Sequence, residues 1–182
     1  IDLAEETLTL FYEAKDVIAW IRFPGGFENE TGSVVKRDGE AQDDFDARKK
    51  ASIVYLRYNQ KKELFSKIHS LRYRFMAQVG KEKAKPFEDL NQVVGEILSS
   101  ARLLALLWPQ KHFADAKKEA RHWEEVRKKE NIFWDTFGQD DPINPKVDKI
   151  ISDIEKICRD IIIAKGTLHG LLNRPIQQVN KN

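Results

Sequence analysis

Glu119-Ala-Arg-His122 is the one Glu-x-x-His pair in this 182-residue chain. Carboxylate-bridged di-metal sites in helical bundles need two such pairs and two further glutamates, so a single copy on a highly charged segment reads as a solvated helix face. Asp43–Asp46 and Asp140-Asp141 concentrate acids, but they lack the glycine and terminal glutamate of a calcium loop. Gly25-Gly26 and Gly32 lack the spacing, lysine and hydroxyl of a phosphate loop. Cys158 falls among Ile154, Ile157 and Ile161 on an apolar stripe, the setting of a buried, inert thiol. The four histidines, His69, His112, His122 and His169, are scattered, and His69 beside Ile68 reads as a half-buried packing residue. No catalytic residue, cofactor site or metal site is assigned.

Two polar residues interrupt apolar stripes. Arg72 lies between Ile68 and Phe75, and Glu96 lies among Val93, Ile97 and Ser99–Ser100. If their helices run antiparallel around Gly80, the two are expected to form a partly buried ion pair that sets helix register; the competing expectation is that both reach solvent.

Charge supplies the only partner-like signal. The net charge is only +2, which implies no general attraction to polyanions. Locally the balance differs: residues 44–85 carry twelve Lys or Arg against four acids, and residues 28–46 carry seven acids against two bases. Lys49, Lys50, Arg57, Lys61, Lys62 and Lys67 are therefore candidate contacts to nucleic acid or an anionic lipid surface, where clustered cations release counterions. The competing expectation is that the acidic loop folds against the basic helix and neutralises it.

The elements that must position these groups are helical throughout. Apolar residues recur every three to four positions over Leu3–Ile21, 44–79, 86–108, 113–137 and 145–172. Pro24-Gly25-Gly26, Gly80, Pro109, Gly138 and Arg174-Pro175 punctuate them, and Asn144-Pro145 is a helix start. The 36-residue segment 44–79 would span roughly 54 Å as one helix, capped by Asp43 or Asp44 and ended by Gly80. Its stretch Gln60-Lys61-Lys62-Glu63 has no apolar residue, so a bend or a loss of packing partner is expected there. Residues 86–108 carry the most apolar face and are expected to be the central helix. Residues 113–137 have a narrow apolar stripe.

The expected fold is all-α: a single domain over 1–182, an elongated antiparallel bundle of four to five helices with one long helix at about 44–79. Residues 23–43 form a long loop, disordered or wrapped on the surface with its start pinned by Phe23 and Phe27, and residues 174–182 form a frayed tail. The single cysteine excludes an internal disulfide and favours a reducing compartment. No run of about 18 apolar residues occurs, so no membrane span is expected within the chain. The chain starts at Ile1, before which an initiator methionine is not normally removed, so an upstream anchor is allowed for.

Leu71-Arg-Tyr-Arg-Phe-Met76, Gly80, Pro86-Phe87-Glu-Asp-Leu90, Ile97-Leu98 and the apolar run Ala101–Trp108 resemble a group of uncharacterised bacterial helical proteins over about residues 45–108. The resemblance implies a bacterial source, no known activity and, in some relatives, a single hydrophobic helix ahead of the soluble part. It transfers no functional residue. The function expected is a non-enzymatic interaction or scaffold bundle, with a protein partner or a second copy docking where apolar coverage is sparse. It would be cytoplasmic, or on the cytoplasmic face of a membrane if an upstream anchor exists. The alternative is binding of nucleic acid or an anionic lipid surface through the basic long helix.

Overall fold

The computed structural model describes residues 2–26, 28–138 and 140–172, the side chains of residues 28 and 167–172 excepted. The expected tail at 174–182, Phe27 and the side chain of His169 lie outside the described residues. Among the described residues six α-helices form a bundle: α1 (Leu3–Ile21), α2 (Gln42–Gln60), α3 (Lys62–Val79), α4 (Lys85–Leu107), α5 (Ala116–Phe133) and α6 (Asn144–Leu172). No strand occurs among the described residues.

α1 has the bounds its periodicity predicts. Asp2 caps it by accepting from Ala4 N–H (3.1 Å), and Glu5 and Glu6 fill the first turn, where the positive end of the helix dipole favours acids. α4 is the central helix. It packs against α2, α5 and α6, and its buried face runs Phe87, Leu90, Val93, Val94, Ile97, Ala101 and Leu104. Phe87 meets Phe11 edge-on at 4.9 Å and Phe75 at 5.1 Å, joining α1, α3 and α4 in one core. The segment Lys81–Leu107 is long and apolar enough to cross a membrane by length and composition, but its apolar side chains build this core.

The 44–79 segment is two helices rather than one. The α-helical ladder breaks at Lys61 (φ −116°, ψ 10°), inside the apolar gap. α2 buries Ala47, Ala51 and Val54 mainly against α4, whereas α3 buries Leu64, Ile68, Leu71 and Phe75 mainly against α1. With no apolar side chain at positions 60–63, nothing holds the junction to either partner, and the change of direction falls there. Neither Asp43 nor Asp44 caps α2. Ala41 occupies the cap, and both acids lie in the first turn. Gly80 ends α3 with φ 119°, a conformation that L side chains rarely adopt.

The 23–43 loop wraps the surface in an ordered way among the described residues. It contains a short 3-10 turn, Glu28–Thr31. Arg48 clips its second half by donating to both Glu40 carboxylate oxygens (2.7 Å each) and to the Val35 carbonyl (2.8 Å). α5 is shorter than expected. It ends at Phe133, not at Gly138, because Trp134 turns to an extended backbone (ψ 146°) and the last carbonyls of the helix are drawn into side-chain bonds. It buries only Val126 and Phe133, the narrow stripe its composition predicts.

Candidate interaction site

At one end of the bundle the last turn of α1, the last turn of α5 and the first turn of α6 converge. Helix termini leave unpaired carbonyls at one end and unpaired N–H groups at the other. Arg22 and Asp141 satisfy both sets here. Arg22, wholly buried, donates from Nε to the Ile132 carbonyl (2.8 Å) and from one terminal nitrogen to the carbonyls of Asn131 (2.8 Å) and Trp134 (2.7 Å). It also donates to both Asp141 carboxylate oxygens (3.1 and 2.8 Å) and to the Asn144 side-chain oxygen (3.0 Å). Asp141 in turn accepts from the backbone N–H groups of Ile143 (2.9 Å), Asn144 (2.8 Å) and Thr136 (3.1 Å). The cap of α6 therefore comes from Asp141, not from the Asn144 that the Asn-Pro signal suggests. Burial alone would raise the Asp141 pKa, but the Arg22 guanidinium and these N–H groups outweigh it and hold the carboxyl at about 2.

A second buried arginine closes the other side of the same corner. Arg57, 1% exposed, donates to the carbonyls of Trp20 (3.3 Å), Ile21 (3.4 Å), Phe23 (2.8 Å) and Gly25, and pairs with Glu30 (2.9 Å). It was expected among the anionic-partner contacts. That expectation is corrected: the acidic loop folds over Arg57, and its charge is consumed by Glu30 and the end of α1.

These two arginines fix the chain that passes over them, and that chain carries exposed rings. Phe23 is 47% exposed and Phe137 70% exposed, and they meet edge-on at 6.4 Å. Trp20 (36% exposed) lies on the last turn of α1 with the Arg57 guanidinium 5.8 Å from its ring centre. Phe137 has φ 51°, the only positive φ at a non-glycine residue among those described. A large side chain in the left-handed region is disfavoured by about 1–2 kcal/mol. The turn is held there by Asp135, which accepts from Phe137 N–H (2.9 Å) and from the Asn144 amide (3.0 Å) while its own N–H donates to the Arg22 carbonyl (2.8 Å). The arrangement can present a preformed aromatic surface to another molecule.

The remaining expected residues are dispersed. The Arg72–Glu96 pair does not form. Arg72 binds Glu88 at 2.6 Å, and Glu96 binds Lys146 at 2.6 Å. The reason is register. Arg72 and Glu88 are each eight residues from Gly80, whereas Glu96 lies eight residues further along, about 12 Å at the helical rise. Lys50 lies 4.2 Å from the Trp108 ring centre and Lys49 5.9 Å from that of Phe45. Lys61, Lys62 and Lys67 are exposed and, like Lys49 and Lys50, have no carboxylate partner among the described residues. The loop acids go instead to Arg48, Arg57 and Lys111.

Cys158 is buried, and burial followed by the nearby Asp2 charge pushes its thiol up to about 11. His122 packs against Phe113 (4.8 Å) and Trp123 (5.0 Å). Among the described residues no three His, Cys, Asp or Glu side chains gather as a metal site. Compared with known proteins, the chain matches no family model, no curated protein and no solved structure.

Proposed function

We propose that this chain is a non-enzymatic interaction module whose bundle end, carrying Trp20, Phe23 and Phe137, docks a partner polypeptide. The observation that carries the reading is Phe137: an aromatic ring held mostly in solvent, on a disfavoured backbone, above a fully satisfied buried ion pair. Strain at an exposed residue that contributes little to the core points to a role outside folding. Aromatic rings supply contact area at low entropic cost and dominate interface hot spots. Three half-exposed rings offer roughly 300 Å², less than the ~800 Å² per partner of a standard interface, so they suit the centre of a hetero-contact rather than a whole dimer face. Tethering to the cytoplasmic face of a membrane through an upstream helix, which the resemblance of residues 45–108 to bacterial helical proteins implies for some of them, is part of the same proposal.

A photo-crosslinking amino acid placed at position 137, and separately at the exposed Leu106 of α4, tests it in native cells. A discrete adduct at 137 that disappears in Phe23→Ser and is absent at 106 is expected. No adduct at 137, or equal adducts at both, would refute it.

A second reading is supported by Lys49, Lys50, Lys61, Lys62 and Lys67, which have no carboxylate partner among the described residues and could contact phosphates of nucleic acid or of an anionic lipid surface. It predicts salt-sensitive binding that Lys61→Glu/Lys62→Glu weakens. Absence of binding at low salt in filter and liposome assays removes it.

A further inference from the structure

α1 and α3 lie side by side, joined at one end by Arg74 and Glu6 (3.1 Å). From that pair an open groove of about 600 Å³ runs past Thr9, Leu10 and Leu71 to Ser66 and Lys67, so the two helices are antiparallel. Leu10 and Leu71 give the groove an apolar floor. Its two rims are opposite in charge. α1 carries four acids, Glu5, Glu6, Glu13 and Asp16, and its one base, Lys15, is taken by Asp148 of α6. α3 carries Lys62, Lys67, Arg72 and Arg74 against the single acid Glu63, and Arg72 is turned to Glu88 of α4. Glu13 and Lys67 are each seven residues from the Glu6–Arg74 pair, about 10.5 Å at the helical rise, so they stand at one level on opposite helices. Both are exposed, and neither has an ion-pair partner among the described residues.

We propose that this groove docks the same groove of a second copy of the chain, about a twofold axis that lies between the two faces and parallel to the helices. A twofold interface brings one patch against itself, so the patch must be self-complementary. Charge selects the axis. Rotation about it sets α1 of each copy over α3 of the other at an unchanged level, so Glu13 faces the partner's Lys67 and the partner's Glu13 faces Lys67. An axis across the helices would instead stack α1 on α1 and set acid against acid. The favoured arrangement also leaves each of the four helices antiparallel to both of its neighbours, the orientation that helix dipoles favour. Thr9, Ser66 and Ser70 are small and let the two faces close over Leu10 and Leu71. Helices of 19 and 18 residues, packed about 10 Å apart, give a footprint of roughly 27 Å by 20 Å, or about 500 Å². That is less than the ~800 Å² per partner of a standard interface, so the dimer is a weak, concentration-dependent one. This face is apart from the aromatic bundle end, and the dimer rests on neither reading above.

Sedimentation of the full chain, freed of nucleic acid, from micromolar to millimolar concentration tests it. A reversible monomer–dimer equilibrium that salt weakens is expected. Glu13→Lys and Lys67→Glu should each weaken the dimer at least about tenfold, because each sets like charges together twice per dimer. Both positions are exposed, and thermal melts check that the variants fold. An equimolar mixture of the two variants should dimerise about as strongly as the parent, since each supplies the charge that the other lacks. That rescue separates a contact between copies from any effect within one chain. The proposal is overturned if the parent stays monomeric at millimolar concentration, if neither charge variant weakens the dimer, or if mixing the two does not restore it. A dimer that Phe23→Ser dissolves and neither charge variant weakens would move the contact to the aromatic end and overturn it as well.

Discussion

The Arg22 guanidinium and the Asp141 carboxylate, 119 residues apart in sequence, meet through two hydrogen bonds with both side chains fully shielded from water. Each ion also completes a helix terminus. Arg22 takes the free carbonyls at the end of α5, and Asp141 takes the free N–H groups at the start of α6. Cation at a C-terminus and anion at an N-terminus is the orientation that helix dipoles favour. Desolvating two charges is expensive, and here the added bonds to backbone groups offset that cost. The pair therefore ties the ends of three helices into one corner.

A lysine at position 22 keeps the charge and loses the planar fork. Arg22→Lys has three donors in place of five, so once it pairs with Asp141 at least one of the carbonyls of Asn131, Ile132 and Trp134 is left without a donor. A loss of roughly 2–3 kcal/mol in urea unfolding is expected. A loss below about 0.5 kcal/mol would show that water substitutes freely at this corner.

Acid should weaken the fold through Asp141. Its folded pKa of about 2 lies below the ordinary value of 3.8, so the ionised form is stabilised in the folded state. That contribution is complete above about pH 4 and is lost as pH falls through 2. It amounts to about 2 kcal/mol at about 1.4 kcal/mol per unit. Glu40, held at about 2 by Arg48, moves in the same direction from the surface. Chemical denaturation from pH 5 to pH 2 should show this slope in the parent and a shallower one in Asp141→Asn.

Arg57 and its lysine neighbours should separate cleanly. Arg57→Ala strands Glu30 and the end carbonyls of α1, so roughly 3 kcal/mol or more is expected to be lost. Lys61→Ala and Lys62→Ala remove no side-chain hydrogen bond or ion pair among the described residues and should stay within about 0.5 kcal/mol of the parent. Equal effects for all three in thermal unfolding would contradict the burial of Arg57.

Phe137→Asn should cost no stability. Asparagine tolerates the left-handed region, so relief at φ 51° offsets the lost contact with Phe23. A change within about 0.5 kcal/mol is expected. A loss above about 1 kcal/mol would mean that the ring supports the fold, and the argument for a role in docking would lose its basis.

Much of the architecture is legible in the sequence because apolar spacing is a local property. Leu3–Ile21 and the α4 stripe follow from periodicity alone, and the apolar gap at Gln60–Glu63 marks the break at Lys61. The corner was not legible in the same way. Arg22 directly follows an amphipathic helix and precedes Pro24-Gly25, which reads as a solvated last-turn cation. Only the fold reveals that α5 ends against it. The one local hint is Asp141-Pro-Ile-Asn144-Pro145, an acid placed to cap the next helix. Arg57 misleads for a related reason: it belongs to a run of bases, and sequence does not show which member the loop 23–31 covers. Arg72 pairs with Glu88 rather than Glu96 because register around Gly80 is set by the connecting turn, not by either stripe.

A double-mutant cycle on Arg22→Met and Asp141→Leu, read by urea unfolding, bears most directly on the corner that carries the aromatic surface. Each single change should cost roughly 3–5 kcal/mol, because it leaves the other ion buried and unpaired. The double variant should cost at least about 2 kcal/mol less than the sum of the two. Additive losses, or single variants close to the parent, would show that the two charges do not act as a pair and that Phe23 and Phe137 are not held in place by them.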